Sequence, residues 1–373
     1  MKAWLLLIAL AAPLLATAQG KPLVYCADAS PEGFDPGLWD SSSTSNATRQ
    51  IFEGLLVFER PGTTLVGRLA ERWEVSPDAK SFTFTLRPGV QFQTAPGFKP
   101  TRPMNADDVV FTFTRFIDPK HPFNQAFPAN FILPNNLGLA RRLAGIDKLD
   151  ERTVRFRLKE PDVTFAALFA YPFAGIQSAE YAAHLLKENR AAQINLQPVG
   201  TGPYRFKSYA KDDVVRLEAH PGYWGGKPLT SALIFSISRE PNVRVQKLLA
   251  GECQVSSPLR DVDVSALDGK PGVVLQKIQA LNISYLSFNL KKAPVNQREV
   301  REALDIAIDR NAIFKALFPR GDAVQATSAF PPSIPGFNKA LKNEFNPTRA
   351  KELLAKAGVP NGFEIDLWAL PVA

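Results

Sequence analysis

The segment of residues 69–116 constrains the fold more than any other, because it leads from an alternating strand to a helix with a clear start. Phe82, Phe84 and Leu86 alternate with serine and threonine. This period of two is typical of a strand that buries one face. Residues 76–80, which include Pro77 and Asp78, predict the turn that precedes the strand.

A helix is predicted to begin directly after Asn105. The side-chain oxygen of Asn105 can accept a hydrogen bond from a free backbone N–H of the first turn. Asp107 and Asp108 follow, where the helix dipole favours negative charge. The predicted buried face consists of Val109, Val110, Phe113 and Phe116.

The first 18 residues have the layout of a secretory signal. Lys2 supplies the positive charge, residues 4–15 form an apolar run, and Ala16, Thr17 and Ala18 make a small-residue cleavage site. A membrane anchor is the alternative, but so short a run is not expected to span a bilayer. A lipoprotein is less consistent, because Cys26 lies well past the run. We therefore expect cleavage after Ala18 and a soluble, exported product.

The chain has two cysteines, Cys26 and Cys253. An even pair in an exported chain predicts a disulfide, and two unrelated buried thiols are the alternative. The formal net charge of +8 raises the question of a nucleic-acid partner. Lysine and arginine are spread without a basic run, and no nucleic-acid-binding signature occurs. We interpret the charge as a solvated surface that favours an anionic cell envelope.

Strands and helices alternate along the chain, which indicates an α/β or α+β architecture. Residues 153–158, 214–218 and 233–237 have the alternation of short strands. Up to about residue 282 the pattern is rich in strands. From residue 285 onward it predicts one strand, over residues 285–289, followed by helices.

The later part of the chain carries strong helix signals. Asn296 with Glu299 three residues on resembles a capping box, and Asp309 is predicted to cap the next helix. Asn346 is predicted to cap a third helix, which ends at Gly358. Residues 363–370 then predict a strand. The apolar stripe of the first of these helices is predicted to be Val300, Ala303, Leu304 and Ala307.

Signs of catalysis are weak. His121, His184 and His220 are scattered, and none has a second ligand at metal-binding spacing. No nucleophile elbow, phosphate-binding loop or dinucleotide fingerprint occurs. Carboxylate pairs such as 107–108 and 212–213 are typical of helix starts and turns. We expect no enzyme, no metal and no cofactor, and a secreted hydrolase is the alternative from another class.

Short motifs along the whole mature chain resemble one family in the same order. They resemble the peptide-binding family (family 5) of periplasmic solute-binding proteins, the receptors of ATP-driven importers, and among these the dipeptide-binding proteins most. Besides residues 69–116, the motifs are residues 30–36, 198–204, 222–225, 235–237, 285–289, 300–304 and 366–372.

The resemblance implies an α/β, two-lobed periplasmic binding protein fold with an extra subdomain in lobe one and an incomplete second lobe. After a signal peptide at residues 1–18, lobe one would comprise residues 19–57 and 176–282. Residues 58–175 would form the satellite subdomain, and residues 283–373 part of lobe two. Family members run further, so we expect a truncated product or a fragment. The contexts Val-Tyr-Cys and Glu-Cys-Gln-Val resemble those of relatives and favour the bond between Cys26 and Cys253.

The resemblance also implies capture of short peptides, dipeptides above all, and their delivery to an inner-membrane ABC importer by a monomer. Residues 40–46 match the place from which lobe one approaches the peptide backbone, so Ser43, Thr44 and Ser45 are the predicted ligand-binding residues. An ordinary serine-rich loop is the alternative there. The Arg and Asp that hold the two ends of the ligand in relatives match positions beyond Ala373. We therefore expect this chain alone to bind dipeptides weakly or not at all.

Other functions stay open on the same fold. Capture of haem, glutathione or a nickel chelate is implied by the same resemblance. A chaperone-like or signalling partner of a membrane receptor is an alternative from a different class.

Overall fold

The computed structural model describes residues 20–60, 62–278, 281–318, 321, 323–332, 334 and 337–368. Contacts within the chain separate two units, Met1–Asp263 and Val264–Ala373, and each is described by itself. The predicted signal peptide lies outside the described residues. No helix in the described ranges combines the length and the apolar character that a membrane crossing requires.

The strands are, in chain order, β1 (Leu23–Ala27), β2 (Leu56–Phe58), β3 (Leu65–Gly67), β4 (Ala70–Val75), β5 (Ser81–Leu86), β6 (Leu143–Asp150), β7 (Thr153–Leu158), β8 (Tyr204–Ala210), β9 (Val214–Ala219), β10 (Ala232–Ile237) and β11 (Val255–Ser256). The helices are α1 (Ser42–Ile51), α2 (Ala106–Ile117), α3 (Pro122–Ala126), α4 (Ile132–Asn136), α5 (Leu139–Arg142), α6 (Ala179–Lys187), α7 (Pro241–Leu249), α8 (Asp261–Leu267), α9 (Arg298–Ala307), α10 (Arg310–Leu317) and α11 (Pro347–Lys356).

A five-stranded sheet of the first unit has the order β11-β1-β10-β9-β8. Strand β1 is parallel to both of its neighbours, with Leu23 opposite Leu233 and Tyr25 opposite Val255. Strands β10, β9 and β8 pair in antiparallel fashion. The predicted disulfide is present: Cys26 and Cys253 are bonded, with their Cα atoms 5.7 Å apart. It ties β1 to the segment that leads into β11.

A four-stranded antiparallel sheet has the order β4-β5-β7-β6. Phe82, Phe84 and Leu86 on β5 are fully buried, as their alternation predicts. Helix α2 begins after Asn105, which accepts a hydrogen bond from the backbone N–H of Asp107 at 3.1 Å. The carboxylate of Asp108 accepts the backbone N–H of Asn105 in return, at 2.9 Å. The predicted cap is therefore confirmed, with Asp108 completing a capping box.

Phenyl rings fill the space around α2 and the four-stranded sheet. Phe113 of α2 lies 5.2 Å, centroid to centroid, from both Phe156 and Phe169. Phe84 lies 4.8 Å from Phe169, and Phe156 lies 4.7 Å from it. Edge-to-face and tilted pairs at these distances are the favoured arrangements of aromatic rings. This cluster is the centre of the largest apolar core.

The carboxyl end of α1 is held by a loop at residues 198–204. The backbone N–H of Gly202 donates to the carbonyl of Ile51 at 2.8 Å, and a side chain at Gly200 or Gly202 would collide with the backbone there. The buried amide of Gln93 donates to the carbonyls of Gly202 and Tyr204, at 2.9 Å each. Close approach of two backbones thus explains the Gly-Thr-Gly sequence.

Glu53, just after α1, also binds segments that are distant in sequence. Its buried carboxylate accepts hydrogen bonds from Thr201 at 2.9 Å, Tyr223 at 3.0 Å and Trp224 at 2.8 Å. Arg68 adds an ion pair at 2.6 Å. The Gly-Tyr-Trp-Gly motif therefore supplies donors to a buried acid, which would be costly to bury without them.

The second unit contains α9, α10 and α11. Asp309 caps α10 by accepting the N–H of Ala312 at 3.0 Å, and Asn346 caps α11 by accepting the N–H of Arg349 at 3.0 Å. Both caps agree with the prediction. The cap predicted at Asn296 is wrong, because a turn from Pro294 to Gln297 occupies that backbone and α9 begins one residue later. Of the predicted stripe of α9, Val300 and Ala303 are buried, Leu304 is half-buried and Ala307 is exposed, while Ile306 is buried instead.

Two predicted strands are absent from the second unit. Residues 285–289 and the described part of 363–370 have no strand hydrogen bonds, and residues 369–370 lie outside the described chain. A strand needs a neighbour to pair with its backbone, and no pairing partner for these segments occurs in the described ranges. Apolar side chains are consequently exposed, among them Leu367 at 75% and Trp368 at 90%.

Candidate functional site

The carboxyl ends of β1, β10 and β11 lie side by side at one edge of the five-stranded sheet. Strand β1 leads to α1, and β10 leads to α7, which returns the chain to β11 on the other side of β1. Ligands of open α/β sheets bind outside the carboxyl ends of strands where the connections diverge in this way. This edge is therefore the candidate site.

The predicted ligand residues Ser43, Thr44 and Ser45 lie in the first turn of α1, which follows β1. Ser41 is the N-cap, and its hydroxyl accepts the backbone N–H of Thr44 at 3.3 Å. Residues 42–51 are helical, so the segment is not a loop, and the ligand role of its hydroxyls stays a prediction. Thr44 and Ser45 are buried, and Ser43 is half-buried.

Thr44 is engaged by Glu32. Its hydroxyl donates to the Glu32 carboxylate and accepts the backbone N–H of Glu32 at 3.0 Å. The hydroxyl of Ser41 donates to the same carboxylate at 2.7 Å. Burial alone would raise the pKa of Glu32, but the hydrogen bonds from Thr44 and Ser41 outweigh it and lower this pKa. The carboxylate is therefore ionised at neutral pH and fixes the loop before α1.

The other two predicted hydroxyls are less committed. Ser43 Oγ lies 3.4 Å from Ser41 Oγ, and the hydroxyl of Ser45 forms no side-chain hydrogen bond with any other residue that the structure describes. A serine hydroxyl can both donate and accept. Ser43 and Ser45 can thus take part in contacts outside the chain, and their role as ligand residues stays a prediction.

An apolar groove of about 480 Å³ runs along the sheet beside α1. Tyr25, Leu233 and Phe235 line it from the strands, and Asn46 and Gln50 add amide groups from α1. The hydroxyl of Tyr25 donates to the carbonyl of Ser257 at 2.8 Å and accepts from Asn46 at 3.4 Å. Burial raises the pKa of Tyr25, and Asp28 adds to the rise, so this hydroxyl stays protonated at neutral pH.

Two cations of α7 hold the end of β10. Arg244 is 4% exposed and donates to the carbonyls of Ser238 and Arg239, at 2.8 Å each. Lys247 Nζ donates to the hydroxyls of Ser236 at 3.2 Å and Ser238 at 3.0 Å. This edge therefore combines positive charge and hydroxyl groups with the carboxyl ends of the strands. These groups suit a ligand with a carboxylate and amides.

Two of the histidines and the paired carboxylates have local structural partners. His121 caps α3 by accepting the N–H of Phe123 at 3.2 Å, and His184 lies 3.5 Å from Glu188. Asp107 pairs with Lys148 at 2.9 Å, and Asp212 pairs with Arg239 at 2.8 Å. Among the described residues, no cluster of histidine, cysteine and acidic side chains could hold a metal ion.

Sequence reasoning missed several residues of the candidate site, namely Tyr25, Glu32, Arg244 and Lys247. Each acts through a partner that is not a neighbour in sequence, such as Thr44 for Glu32 or Ser257 for Tyr25. The sole local signal is the Ser41 cap, which a Ser-rich run before a helix can indicate.

Comparisons with known proteins identify the family. The family described as bacterial extracellular solute-binding proteins, family 5 Middle, matches residues 64–371. The di/tripeptide-binding protein 1 of Pseudomonas aeruginosa is 43% identical over 353 residues, which are 94% of this chain and 66% of that protein. The heme-binding protein A of Haemophilus influenzae is 38% identical over 351 residues, 94% of this chain and 64% of that protein.

A solved structure is also similar. The crystal structure of the dipeptide-binding protein from Pseudoalteromonas sp. SM9913, in complex with Met-Leu, has a TM-score of 0.84 and 34% identity, and the match covers 92% of this chain and 68% of that one. The predicted α/β fold of periplasmic binding proteins is thereby confirmed. The chain spans about two thirds of the length of the relatives it matches. It belongs to family 5 of the bacterial extracellular solute-binding proteins.

Proposed function

We propose that this chain is part of an extracytoplasmic receptor that captures short peptides, dipeptides above all, and delivers them to an inner-membrane ABC importer. The observation that carries the proposal is the 43% identity to a protein named for di- and tripeptide binding. The complex of a relative with Met-Leu supports a dipeptide as the first ligand to test.

The candidate site supports this proposal chemically. A dipeptide is a zwitterion whose backbone amide needs both donors and acceptors, and an extended peptide can bind through its backbone while its side chains vary. Ser43 and Ser45 supply hydroxyls at the start of α1, where the helix dipole favours a carboxylate. Thr44 acts differently in this proposal: it holds Glu32 and so fixes the loop that precedes the helix.

The proposed receptor has a defined domain organisation and cellular location. Residues 1–18 are removed as a signal peptide, and the product acts in the periplasm as a monomer without a nucleic-acid partner or an enzymatic activity. Lobe one comprises residues 19–57 and 176–282, with residues 58–175 as its satellite subdomain. Residues 283–373 belong to lobe two.

The test is direct titration of the purified chain with Met-Leu, observed by saturation-transfer NMR because this method detects weak as well as tight binding. We expect saturable binding of Met-Leu and no comparable binding of a mixture of free methionine and leucine. The ligand recovered afterwards should be intact by mass spectrometry. Hydrolysis would favour the secreted hydrolase, and the absence of saturable binding would contradict dipeptide capture by the candidate site of this chain.

Variants of α1 sharpen the test. Ser43→Ala and Ser45→Ala remove the hydroxyls of the two predicted ligand residues that Glu32 does not engage, so we expect each to weaken Met-Leu binding. Ser42→Ala is the matched control, because Ser42 lies in the same turn and is not a predicted ligand residue. Equal affinities of all three variants would remove Ser43 and Ser45 from the ligand site.

Haem is the second candidate ligand, because the heme-binding relative is 38% identical over nearly the same span. An absorbance titration with haem separates the two ligands. A saturable Soret shift that Met-Leu does not displace would favour haem. Glutathione and nickel chelates can be compared in the same way.

A further inference from the structure

A second concave pocket, of about 330 Å³, lies where the end of α5 meets the segment that follows β7. It is lined by Gly138, by the cations Arg141, Arg142 and Lys159, and by the acids Glu160 and Asp162. None of these residues belongs to the candidate peptide site. No motif of the sequence predicted this pocket either, because its two sides come from separate segments.

The charges of this pocket are unequally paired. Arg142 Nη1 lies 3.0 Å from Asp162 Oδ2, and the other oxygen of Asp162 accepts the N–H of Thr164 at 3.0 Å. Arg141 and Lys159 form no ion pair and no side-chain hydrogen bond with any residue in the described ranges. Two cations therefore face the pocket without a protein partner, and Glu160 is the remaining acid on its rim.

Hydrogen bonds to the backbone join the two segments that carry Arg141 and Lys159. The N–H of Lys159 donates to the carbonyl of Arg142 at 2.9 Å, and the N–H of Asp162 donates to the carbonyl of Ala79 at 3.2 Å. Lys80 Nζ donates to the carbonyl of Lys159 at 3.2 Å. The two segments that carry the cations are thus fixed to each other and to the turn before β5.

Gly138 makes room for Arg141. Its φ of +65° is a conformation that favours glycine. A Cβ atom at this position would lie 2.8 Å from Arg141 Nη2. The guanidinium therefore occupies the space that a side chain at residue 138 would need, while Arg141 remains exposed at the surface.

We propose that this pocket binds a phosphate group. The planar fork of Arg141 can donate to two phosphate oxygens at once, while the ammonium of Lys159 supplies a compact charge to a third. Arg142 is held by Asp162 and completes the positive wall. The phosphate can be the free ion or the headgroup of an anionic lipid, and both sources present the same oxygens to the cations.

The first experiment titrates the whole chain with inorganic phosphate at constant ionic strength, followed by the NMR signals of the arginine and lysine side chains. We expect saturable shifts at Arg141 and Lys159. Arg141→Gln and Lys159→Gln should each weaken the affinity about tenfold or more, since each removes charge-assisted hydrogen bonds. Glu160→Gln should strengthen it severalfold, because it removes a repelling charge.

Arg216→Gln is the matched control. It removes the same charge from an exposed arginine on β9 that has no ion-pair partner in the described part of the chain. If Arg216→Gln weakens phosphate binding as much as Arg141→Gln does, the binding is a general charge effect and the proposal is overturned. All replaced side chains are at the surface, and thermal unfolding confirms that each variant is folded.

The second experiment identifies the source of the phosphate. Vesicles of phosphatidylglycerol and of phosphatidylcholine are sedimented with the chain, with and without Arg141→Gln. Binding to phosphatidylglycerol that requires Arg141 supports a lipid headgroup, and binding of inorganic phosphate alone supports the free ion. The absence of Arg141-dependent binding in both experiments would overturn the proposal.

Discussion

The two larger sheets of the first unit are assembled in different ways. The four-stranded sheet takes all of its strands from residues 70–158, and its core is a cluster of phenyl rings. The five-stranded sheet joins β1 to strands from the far end of the unit. Buried polar groups bind the loops and helices next to this sheet. The four-stranded sheet packs on the larger apolar core, whereas the five-stranded sheet combines a smaller apolar core with a disulfide and a few well-paired polar side chains.

Asp35 and Arg115 show how the polar groups join distant segments. Both side chains are fully buried and lie 2.6 Å apart. Asp35 also accepts the amide of Gln177 at 2.6 Å. A buried ion pair gains specificity of arrangement more reliably than stability. This pair therefore fixes the segment between β1 and α1 against α2, whereas the phenyl rings supply the larger share of the free energy of folding.

The largest effect is expected from the phenyl cluster. Phe113→Ala removes a fully buried ring and should lower the free energy of unfolding by about 3–5 kcal/mol, because it leaves a cavity. Denaturant unfolding measures this loss. Val163→Ala, at a side chain that is 83% exposed, is the control and should change it by less than about 0.5 kcal/mol. A loss below 1 kcal/mol for Phe113→Ala would contradict the role given to the rings.

A somewhat smaller effect is expected from the disulfide. Replacing Cys26 and Cys253 together by alanine should lower the free energy of unfolding by about 2–5 kcal/mol, since the unfolded chain loses a constraint. Hydrogen exchange should show faster exchange in β1 and β11 and little change in β5 and β7. Reductant should reproduce the effect in the natural chain and have none on the variant. Equal loss of protection in both sheets would mean that they unfold as one unit, and the contrast between them would fail.

The smallest effect is expected from Glu32, a polar group on the side of the five-stranded sheet. Its pKa is lowered below the ordinary value of 4.5 in the folded protein. It therefore contributes stability above about pH 4.5, and this contribution is lost as the pH falls through the lowered pKa. The melting temperature of Glu32→Gln should consequently depend less on pH between about pH 6 and pH 3 than that of the natural chain. Identical slopes would show that Glu32 is not held as described.

A strand of the four-stranded sheet and several helix starts could be predicted from sequence, because their signals are local. The alternation in β5 and the caps at Asn105, Asp309 and Asn346 involve residues within a few positions of one another. The bond between Cys26 and Cys253 followed from a resemblance. The false cap at Asn296 shows the limit of such signals, since the turn from Pro294 to Gln297 prevails over a suitable residue type.

The candidate site could be predicted only in part. The choice of Ser43, Thr44 and Ser45 as ligand residues came from resemblance and stays a prediction. Their helix and the hydrogen bonds between Thr44 and Glu32 were not predicted. The roles of Gln93 and Glu53 depend on Gly202 and Trp224, which are far away in sequence. The strands predicted at residues 285–289 and at the described residues 363–368 do not form, for a related reason. Alternation shows that a segment can be a strand, while a strand forms only where a partner is within reach.

The central position of β1 has a consequence for synthesis of the protein. This strand precedes every other strand of the described chain, yet both of its neighbours contain residues that are made much later, such as Leu233 and Val255. While translation continues, an apolar strand with two open edges is exposed to other chains. The β4-β5-β7-β6 sheet can fold in the meantime, because its contacts are closer in sequence. The nascent chain should therefore depend on a holding chaperone at its amino-terminal segment until the region around β10 and β11 has emerged.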